Sequence, residues 1–222
     1  MKYYPVNLDI KDRQCIVVGG GDVGTRKVLT LLECSAFVTV VSPVASNTLL
    51  NLADRGSITL KKRSYVESDL HGMFLVICAT DNDMLNRQVS VDAQKLNMLC
   101  NVADRPEACN FILPAVVKRG DLTIAVSTSG KSPAFAKKIR KDLEKQYGDE
   151  YAQFLKLMGA IREKLLNTKH EPEAHKHLFE ELIDRDIIQM IRKGNVDKLN
   201  SALFEVLGKG YDFYDLIKQE EL

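Results

Sequence analysis

Short apolar runs alternate with amphipathic stretches over the first half of the chain. Between the first two runs, Val28, Leu31 and Leu32 recur at the spacing of a helix. Strands that alternate with helices indicate βαβ units, in which a parallel sheet is covered on both faces. The runs predicted to be strands are Cys15–Val18, Val38–Val41, Ile58–Leu60, Phe74–Ala79 and Met98–Val102.

The pattern changes near residue 111. Two β-type runs, Phe111–Val117 and Leu122–Ser127, are joined by the turn residues Lys118–Asp121. This arrangement predicts an antiparallel hairpin, which a purely parallel sheet does not need.

The rest of the chain has only helical spacing. In the stretch "SPAFAKKIRKDLEKQYG", Ser132 is a suitable N-cap and Pro133 a suitable first helical residue, so a helix is predicted to end before Gly148. From Tyr151 onward the apolar residues form helical stripes. The polar stretch "NTKHEPEAHKH" at 167–177 is predicted to be a solvated boundary between helices.

A glycine cluster, "CIVVGGGDVG", follows the first predicted strand and opens the first predicted helix. Gly19, Gly21 and Gly24 fit the spacing G-x-G-x-x-G. In a dinucleotide site the first glycine permits a tight turn, the second lets a pyrophosphate approach the backbone, and the third allows close helix packing. A glycine-rich turn without any ligand remains the alternative interpretation.

These patterns together predict a fold class and a division into domains. A Rossmann-like α/β domain is expected over residues 1–112, followed by a small hairpin-and-helix region over 113–147. An all-helical C-terminal domain is expected over 148–222.

The end of the second predicted strand bears on which dinucleotide would bind. An acidic residue that holds the ribose hydroxyls is expected there, but the chain has Ser42 and Pro43 instead. No basic residue that could pair with a 2′-phosphate lies between Lys27 and Arg55. The sequence therefore favours NAD over NADP, with the Ser42 hydroxyl and main-chain groups in place of the carboxylate.

Polar residues follow the fourth and fifth predicted strands, where an open α/β sheet binds its ligands. Thr80 and Asp81 follow the fourth, and Asn101, Asp104 and Arg105 follow the fifth. An Asp before Arg-Pro is often part of a turn. Asp104 is equally suited to accept a proton while a hydride leaves a substrate, and both interpretations remain open.

A second polar segment, "STSGKSP", precedes the helix that begins at Pro133. Its hydroxyls and the helix start are suited to bind carboxylate or phosphate. Lys118, Arg119 and Lys131 lie close by in sequence, so an acidic substrate is as plausible as an ordinary solvated cap.

Composition excludes several classes of protein. The 222 residues carry 31 basic and 30 acidic side chains, a net charge of +1 that argues against a general nucleic-acid binder. No apolar run is long enough to span a bilayer, and the first residues lack a secretory signal. The five cysteines form no CxxC pair, which indicates reduced thiols in a cytoplasmic protein. His170, His175 and His177 are predicted to be solvated, and no metal site is expected.

Four stretches in the same order resemble the siroheme synthase family, and specifically its precorrin-2 dehydrogenase module. They are "CIVVGGGDVGTRKVLTLLE", "VICATDNDMLNRQV", "CNVADRPEACNFILPA" and "LTIAVSTSGKSPAFAKKIRKDLE". The likeness extends to about Lys145 and continues more loosely through the helical tail. No methyltransferase portion follows, so a stand-alone form is expected.

The resemblance implies an NAD-dependent oxidation of precorrin-2 to sirohydrochlorin by a homodimer, and it assigns dimerisation to the hairpin-and-helix region over 113–147. It assigns the catalytic carboxylate to Asp104 and places the tetrapyrrole, a polycarboxylate, beside the Ser/Thr/Gly segment. The implied cofactor contacts are Gly21, Asp22, Val23, Pro43, Val44, Thr80, Asn101 and Val102, in addition to the glycine-motif residues Gly19 and Gly24 and to Ser42. The implied substrate contacts are Ser127, Thr128, Ser129, Gly130 and Lys131.

Two other functions remain open from the sequence. Some members of the family also insert Fe²⁺ into sirohydrochlorin, and nothing in the sequence decides this. An NAD-sensing regulatory module would share the glycine loop and strands, but it would not need Asp104 or the "STSGKSP" segment.

Overall fold

The computed structural model describes residues 2–103, 105–167 and 172–218. The chain forms two compact units. One comprises Met1–Leu113 with Ser129–Lys131, and the other comprises Pro114–Thr128 with Ser132–Leu222. The predicted boundary after residue 112 lies next to the observed one after residue 113. The further division into a dimerisation region and a helical domain stays a prediction.

The first unit contains a five-stranded parallel sheet in the order β3-β2-β1-β4-β5. Its strands are β1 (Gln14–Gly20), β2 (Phe37–Ala45), β3 (Thr59–Lys61), β4 (Leu75–Cys78) and β5 (Leu99–Val102). Its helices are α1 (Asp22–Glu33), α2 (Asn47–Asp54) and α3 (Asp83–Lys95). The prediction of a Rossmann-like parallel sheet is confirmed.

Strand β1 is buried on both faces, which explains its continuous apolar run. Cys15 and Val17 join a core cluster with residues of α1 and α2. The intervening Ile16 and Val18 join a second cluster with residues of α3. Because successive side chains of a strand point to opposite faces, the sheet lies between two helical layers.

The strand order creates a switch point at the centre of the sheet. Val18 in β1 pairs with Val41 of β2 on one side and with Cys78 of β4 on the other. The chain therefore runs outward in opposite directions from β1, and the carboxyl ends of β1 and β4 border a crevice. Such a crevice is where open α/β sheets bind their ligands.

In the second unit, β6 (Ala115–Arg119) and β7 (Leu122–Val126) form the predicted antiparallel hairpin. The connection is shorter than predicted, because Arg119 belongs to β6 and Gly120 turns the chain with φ +56°. The expectation that the strand begins at Phe111 is wrong. Residues 111–114 are not in a strand, since the Phe111 carbonyl accepts a hydrogen bond from the Asn101 side chain and Pro114 has no N–H to donate.

The remaining elements of this unit are helical, as predicted. Ser132 caps α4 by accepting a hydrogen bond from the Phe135 N–H at 3.2 Å, which confirms the predicted N-cap. A core of α5, α6, α7, α8 and α9 residues includes Leu157, Leu182 and Leu203. The helices are α4 (Pro133–Gln146), α5 (Glu150–Leu166), α6 (Pro172–Asp184), α7 (Ile187–Arg192), α8 (Val196–Leu207) and α9 (Phe213–Lys218).

The predicted solvated boundary at 167–177 is wrong from Pro172 onward. Helix α6 begins there, and His175 is buried while His177 is exposed on the same helix. The charged neighbours of His175 concealed the buried face of this helix. His170 lies outside the described residues. Within the described ranges, no helix is both long and apolar enough to cross a membrane.

Candidate cofactor site

Two glycines of the motif are required by the protein's own packing. A Cβ at Gly19, where φ is +116°, would lie 2.3 Å from the Ala79 carbonyl oxygen at the end of β4. A Cβ at Gly24 would lie 2.1 Å from the Gly19 carbonyl oxygen. Any side chain at either position would therefore push α1 or β4 away from the loop.

Gly21 is different, because no described protein atom lies within 4 Å of the place where its Cβ would be. It is the N-cap residue of α1, with φ −79°, and no side chain caps the helix. The first helical N–H groups, including those of Asp22 and Val23, are thus left without intrahelical partners at the positive end of the helix dipole. Open space beside uncapped N–H groups fits the pyrophosphate of a dinucleotide.

The end of β2 covers the other side of the glycine loop. The Ser42 hydroxyl donates a hydrogen bond to the Val44 carbonyl oxygen at 2.6 Å, and a Cβ at Gly20 would lie 2.4 Å from that same oxygen. The hydroxyl expected to hold a ribose is thus engaged by its own chain. The Ser42 oxygen can still accept hydrogen bonds, and Pro43 and Val44 are exposed beside it, so the cofactor contacts of all three residues stay predictions.

The end of β4 meets the glycine loop directly. The Cγ2 atom of Thr80 lies 3.1 Å from the place of a Gly19 Cβ. The Thr80 hydroxyl donates a hydrogen bond to Asn86 Oδ1 at 2.8 Å, and the Asn86 side chain is buried within α3. Asn86 was not predicted, because a single asparagine in a helical pattern has no recognisable motif.

At the end of β5, the predicted contact residues are held by a loop that follows them. The buried Asn101 side chain donates a hydrogen bond to the Phe111 carbonyl oxygen at 3.1 Å. Val102 is buried, and its N–H donates to Cys109 Sγ at 3.1 Å. Both side chains face the protein interior, so their predicted cofactor contacts rest on the main chain. Asp104 lies outside the described residues.

The Cys109 thiol contacts residues that precede and follow position 104 in the chain. Its sulfur lies 3.3 Å from the Val102 carbonyl oxygen and 3.2 Å from the Arg105 carbonyl oxygen. Burial raises the pKa of this thiol, which keeps it protonated and able to donate to either carbonyl. Arg105 forms an ion pair with Asp83 at the start of α3.

The predicted substrate segment forms a left-handed turn. Ser129 and Gly130 have φ values of +53° and +81°. A Cβ at Gly130 would be in ordinary contact, at 3.8 Å, with Pro106, two residues after Asp104 in the chain. Lys131 is exposed, as is Ser127, and Thr128 accepts a hydrogen bond from the Ser132 N–H at 3.1 Å.

No disulfide joins the five cysteines, and Cys15, Cys78 and Cys100 are buried. Burial raises the pKa of the Cys15 thiol to about 11, and a hydrogen bond with Cys100 together with burial raises the pKa of Cys78, so both are neutral thiols at physiological pH. Among the described residues, no three His, Cys, Asp or Glu side chains come together in a way that could hold a metal ion.

Two family models match the chain. One, described as "NAD(P)-binding", matches residues 6–115, which contain the whole parallel sheet. The other, described as "Sirohaem biosynthesis protein central", matches residues 119–146, from the end of β6 through α4.

Among curated proteins, the siroheme synthase of Pseudoalteromonas atlantica is 36% identical over 211 residues, covering 93% of this chain and 45% of that protein. The siroheme synthase of Methylococcus capsulatus is 33% identical over 205 residues, covering 92% of this chain and 43% of that protein. The chain spans less than half the length of these relatives.

One solved structure resembles the chain over nearly its whole length. It is described as SirC, precorrin-2 dehydrogenase, and is 30% identical with a TM-score of 0.80. The similarity covers 92% of this chain and 98% of that one.

Proposed function

Because the chain belongs to the siroheme synthase family, we propose that it oxidises precorrin-2 to sirohydrochlorin with NAD as the cofactor. The observation that carries this proposal is the uncapped start of α1 at Gly21, open on the ligand side and located at the switch point of the sheet. A glycine loop that served only to connect a strand to a helix would not need Gly21.

The N–H groups at the start of α1 would hold the pyrophosphate of NAD, because Gly21 would let it approach the main chain. Pro43 and Val44 at the end of β2 would border the adenosine half, and Thr80 and the end of β5 would border the other half. The absence of Lys and Arg between Lys27 and Arg55 supports NAD, because a 2′-phosphate would have no basic partner in that segment.

The reaction removes two hydrogens from the macrocycle, one as a hydride and one as a proton. When bound, NAD supplies the hydride acceptor. The Asp104 carboxylate accepts the proton and later releases it to water, so that charge and atoms balance. Cys109 bonds to Val102 and Arg105, so one thiol holds described residues on either side of Asp104 in the chain.

The substrate carries several carboxylates, which the Ser127–Lys131 segment is suited to bind. The Lys131 ammonium provides a positive charge, while the hydroxyls of Ser127, Thr128 and Ser129 and the main chain of Gly130 provide hydrogen-bonding groups. Pro106 lies 3.8 Å from the place where a Gly130 Cβ would be, which supports a place for Lys131 close to the segment that follows β5.

We also propose that the chain acts as a cytoplasmic homodimer. Val116 of β6 and Phe135 of α4 are 42% and 54% exposed, and apolar side chains of this size on a hairpin and its neighbouring helix suit a subunit contact. Sedimentation of the purified protein as a monomer at micromolar concentration would contradict this assignment.

The function is tested by incubating the purified protein with precorrin-2 and either NAD or NADP, and following reduced cofactor by its absorbance. We expect NADH to form with one equivalent per precorrin-2 oxidised, and at least about tenfold lower kcat/KM with NADP. Tight NAD binding without any NADH formation would instead favour an NAD-sensing regulatory module. A preference for NADP would contradict the interpretation of the β2 terminus.

A further inference from the structure

We propose that Asn86 is a positioning residue for the nicotinamide half of the cofactor and that it acts through Thr80. This inference rests on the proposed NAD-dependent function, and it adds to that function a residue that does not itself contact the cofactor.

Both ends of the Asn86 amide are committed to Thr80. Oδ1 accepts a hydrogen bond from the Thr80 hydroxyl at 2.8 Å, and Nδ2 donates one to the Thr80 carbonyl oxygen at 2.9 Å. Since a carbonyl oxygen can only accept, these contacts fix the orientation of the amide. The side chain is 4% exposed, so little water is available to replace either bond.

Asn86 is not needed to start its own helix. Asn82 caps α3, with Oδ1 accepting a hydrogen bond from the Leu85 N–H at 3.0 Å. A buried asparagine costs stability unless its polar atoms are paired, and an apolar residue would fill this core-facing position of α3 at lower cost. Both polar atoms of the Asn86 side chain pair with Thr80, which points to a role in holding the turn that follows β4.

That turn is in direct contact with the glycine loop. The Ala79 carbonyl oxygen lies 2.3 Å, and Thr80 Cγ2 lies 3.1 Å, from the place where a Gly19 Cβ would be. The Ala79 N–H also donates to the Val18 carbonyl oxygen at 2.8 Å. Thr80 therefore forms the wall of the crevice on the β4 side of β1.

The location of this wall indicates which half of the dinucleotide it meets. In this fold the pyrophosphate lies at the start of α1 and the adenosine ribose lies at the end of β2. Because β4 is on the opposite side of β1 from β2, the Thr80 wall borders the nicotinamide riboside. Asn86 fixes the hydroxyl and carbonyl of Thr80 on that side.

The test compares the dissociation constants of NAD and of ADP, measured by titration calorimetry on the whole protein. ADP contains the adenosine and pyrophosphate but lacks the nicotinamide riboside. For Asn86→Ala we expect the Kd of NAD to rise about tenfold, the loss expected when a buried pair of hydrogen bonds is removed, while the Kd of ADP changes less than about twofold.

Asn200→Ala is the matched control, because Asn200 is also a helical asparagine with both ends of its amide bonded. It donates to Asp212 Oδ2 at 2.5 Å and accepts from the Phe213 N–H at 2.9 Å, in the helical unit. We expect this variant to lose stability with both Kd values unchanged. If Asn86→Ala does not fold, Asn86→Asp keeps the acceptor and removes the donor, and the same selective loss of NAD affinity is expected.

A double-mutant cycle with Thr80→Val tests whether Asn86 acts through Thr80. We expect the double variant to lose less NAD affinity than the sum of the two single variants. Additive losses, equal losses for NAD and ADP, or an unchanged Kd of NAD would each overturn the inference. Failure of the wild-type protein to bind NAD at all would overturn the proposed function as well, so the two failures are distinguishable.

Discussion

The four glycines at 19, 20, 21 and 24 have different physical requirements. At Gly19, Gly20 and Gly24 a Cβ would lie within 2.4 Å of a backbone atom of the protein. At Gly21 a Cβ would meet no described atom, and the backbone conformation is one that alanine adopts readily. Only Gly21 therefore remains to be explained by a ligand.

Gly21→Ala is expected to fold with a melting temperature close to that of the wild type but to bind NAD at least about tenfold more weakly. The added methyl group would occupy space that the pyrophosphate needs for its approach to the α1 N–H groups. Thermal unfolding followed by calorimetric titration with NAD measures both effects.

Gly24→Ala provides the contrast, because its Cβ would clash with the Gly19 carbonyl oxygen at 2.1 Å. It should lose stability along with cofactor affinity. Unchanged NAD binding in Gly21→Ala would show that the open space at the helix start is not the pyrophosphate site.

Individual residues were predictable from the sequence where a motif fixes the backbone. They were less predictable where the hydrogen-bond partner of a side chain depends on the folded structure. The three motif glycines and the Ser132 cap follow from local spacing. The Ser42 hydroxyl bonds to Val44, and Asn86 bonds to Thr80 six residues away, in a pattern that no local rule describes.

At the scale of elements, a buried carboxylate holds the segment between β3 and β4. The Asp69 side chain is 1% exposed and receives two hydrogen bonds from the Arg63 guanidinium, at 2.6 and 2.7 Å. Lys61 Nζ and the Val66 N–H also bind it, at 3.0 and 3.1 Å. The Arg63 hydrogen bonds, supported by those of Lys61 and Val66, hold the pKa of Asp69 well below its usual range.

This network predicts a loss of stability in acid. The unfolded chain takes up a proton at the ordinary carboxyl pKa of about 4, whereas folded Asp69 takes it up only at lower pH. Its stabilisation is therefore complete at neutral pH and is lost progressively as the pH falls below about 5. Asp69→Asn should lower the free energy of unfolding by about 2 kcal/mol at pH 7. The expected loss is no larger because the cationic partners are partly exposed to solvent. At pH 4 the loss should be smaller than at pH 7.

Urea unfolding at several pH values measures this difference, with Asp54→Asn as a control at an exposed carboxylate. The control should change stability by less than about 0.5 kcal/mol at either pH. A difference between Asp69→Asn and the wild type that does not shrink in acid would contradict the proposed role of the ionised carboxylate.

The elements themselves followed the hydrophobic pattern closely where strands are buried on both faces. The five parallel strands were predicted within a few residues. The continuous buried runs of β1 and β4 are typical of strands in a sheet that is covered on both faces. The error at α6 arose because its buried face is masked by charged and histidine residues around His175.

At the scale of the whole molecule, the proposed function joins a cofactor site at the centre of the sheet to Asp104, which follows β5 in the chain. The parallel sheet and the hairpin were accessible from the sequence, whereas the assignment of a tetrapyrrole depended on resemblance to a family. Physical patterning predicts a dinucleotide site and a candidate acid or base, but the shape of the substrate is specified by contacts that are distant in the sequence.

The most direct test of the central claim measures NADH formation from precorrin-2 at saturating NAD, by the wild type and by Asp104→Asn. The account predicts one NADH per precorrin-2 for the wild type and a rate at least about 100-fold lower for the variant, with the Kd of NAD unchanged. No NADH from the wild type, or an undiminished rate in Asp104→Asn, would contradict it.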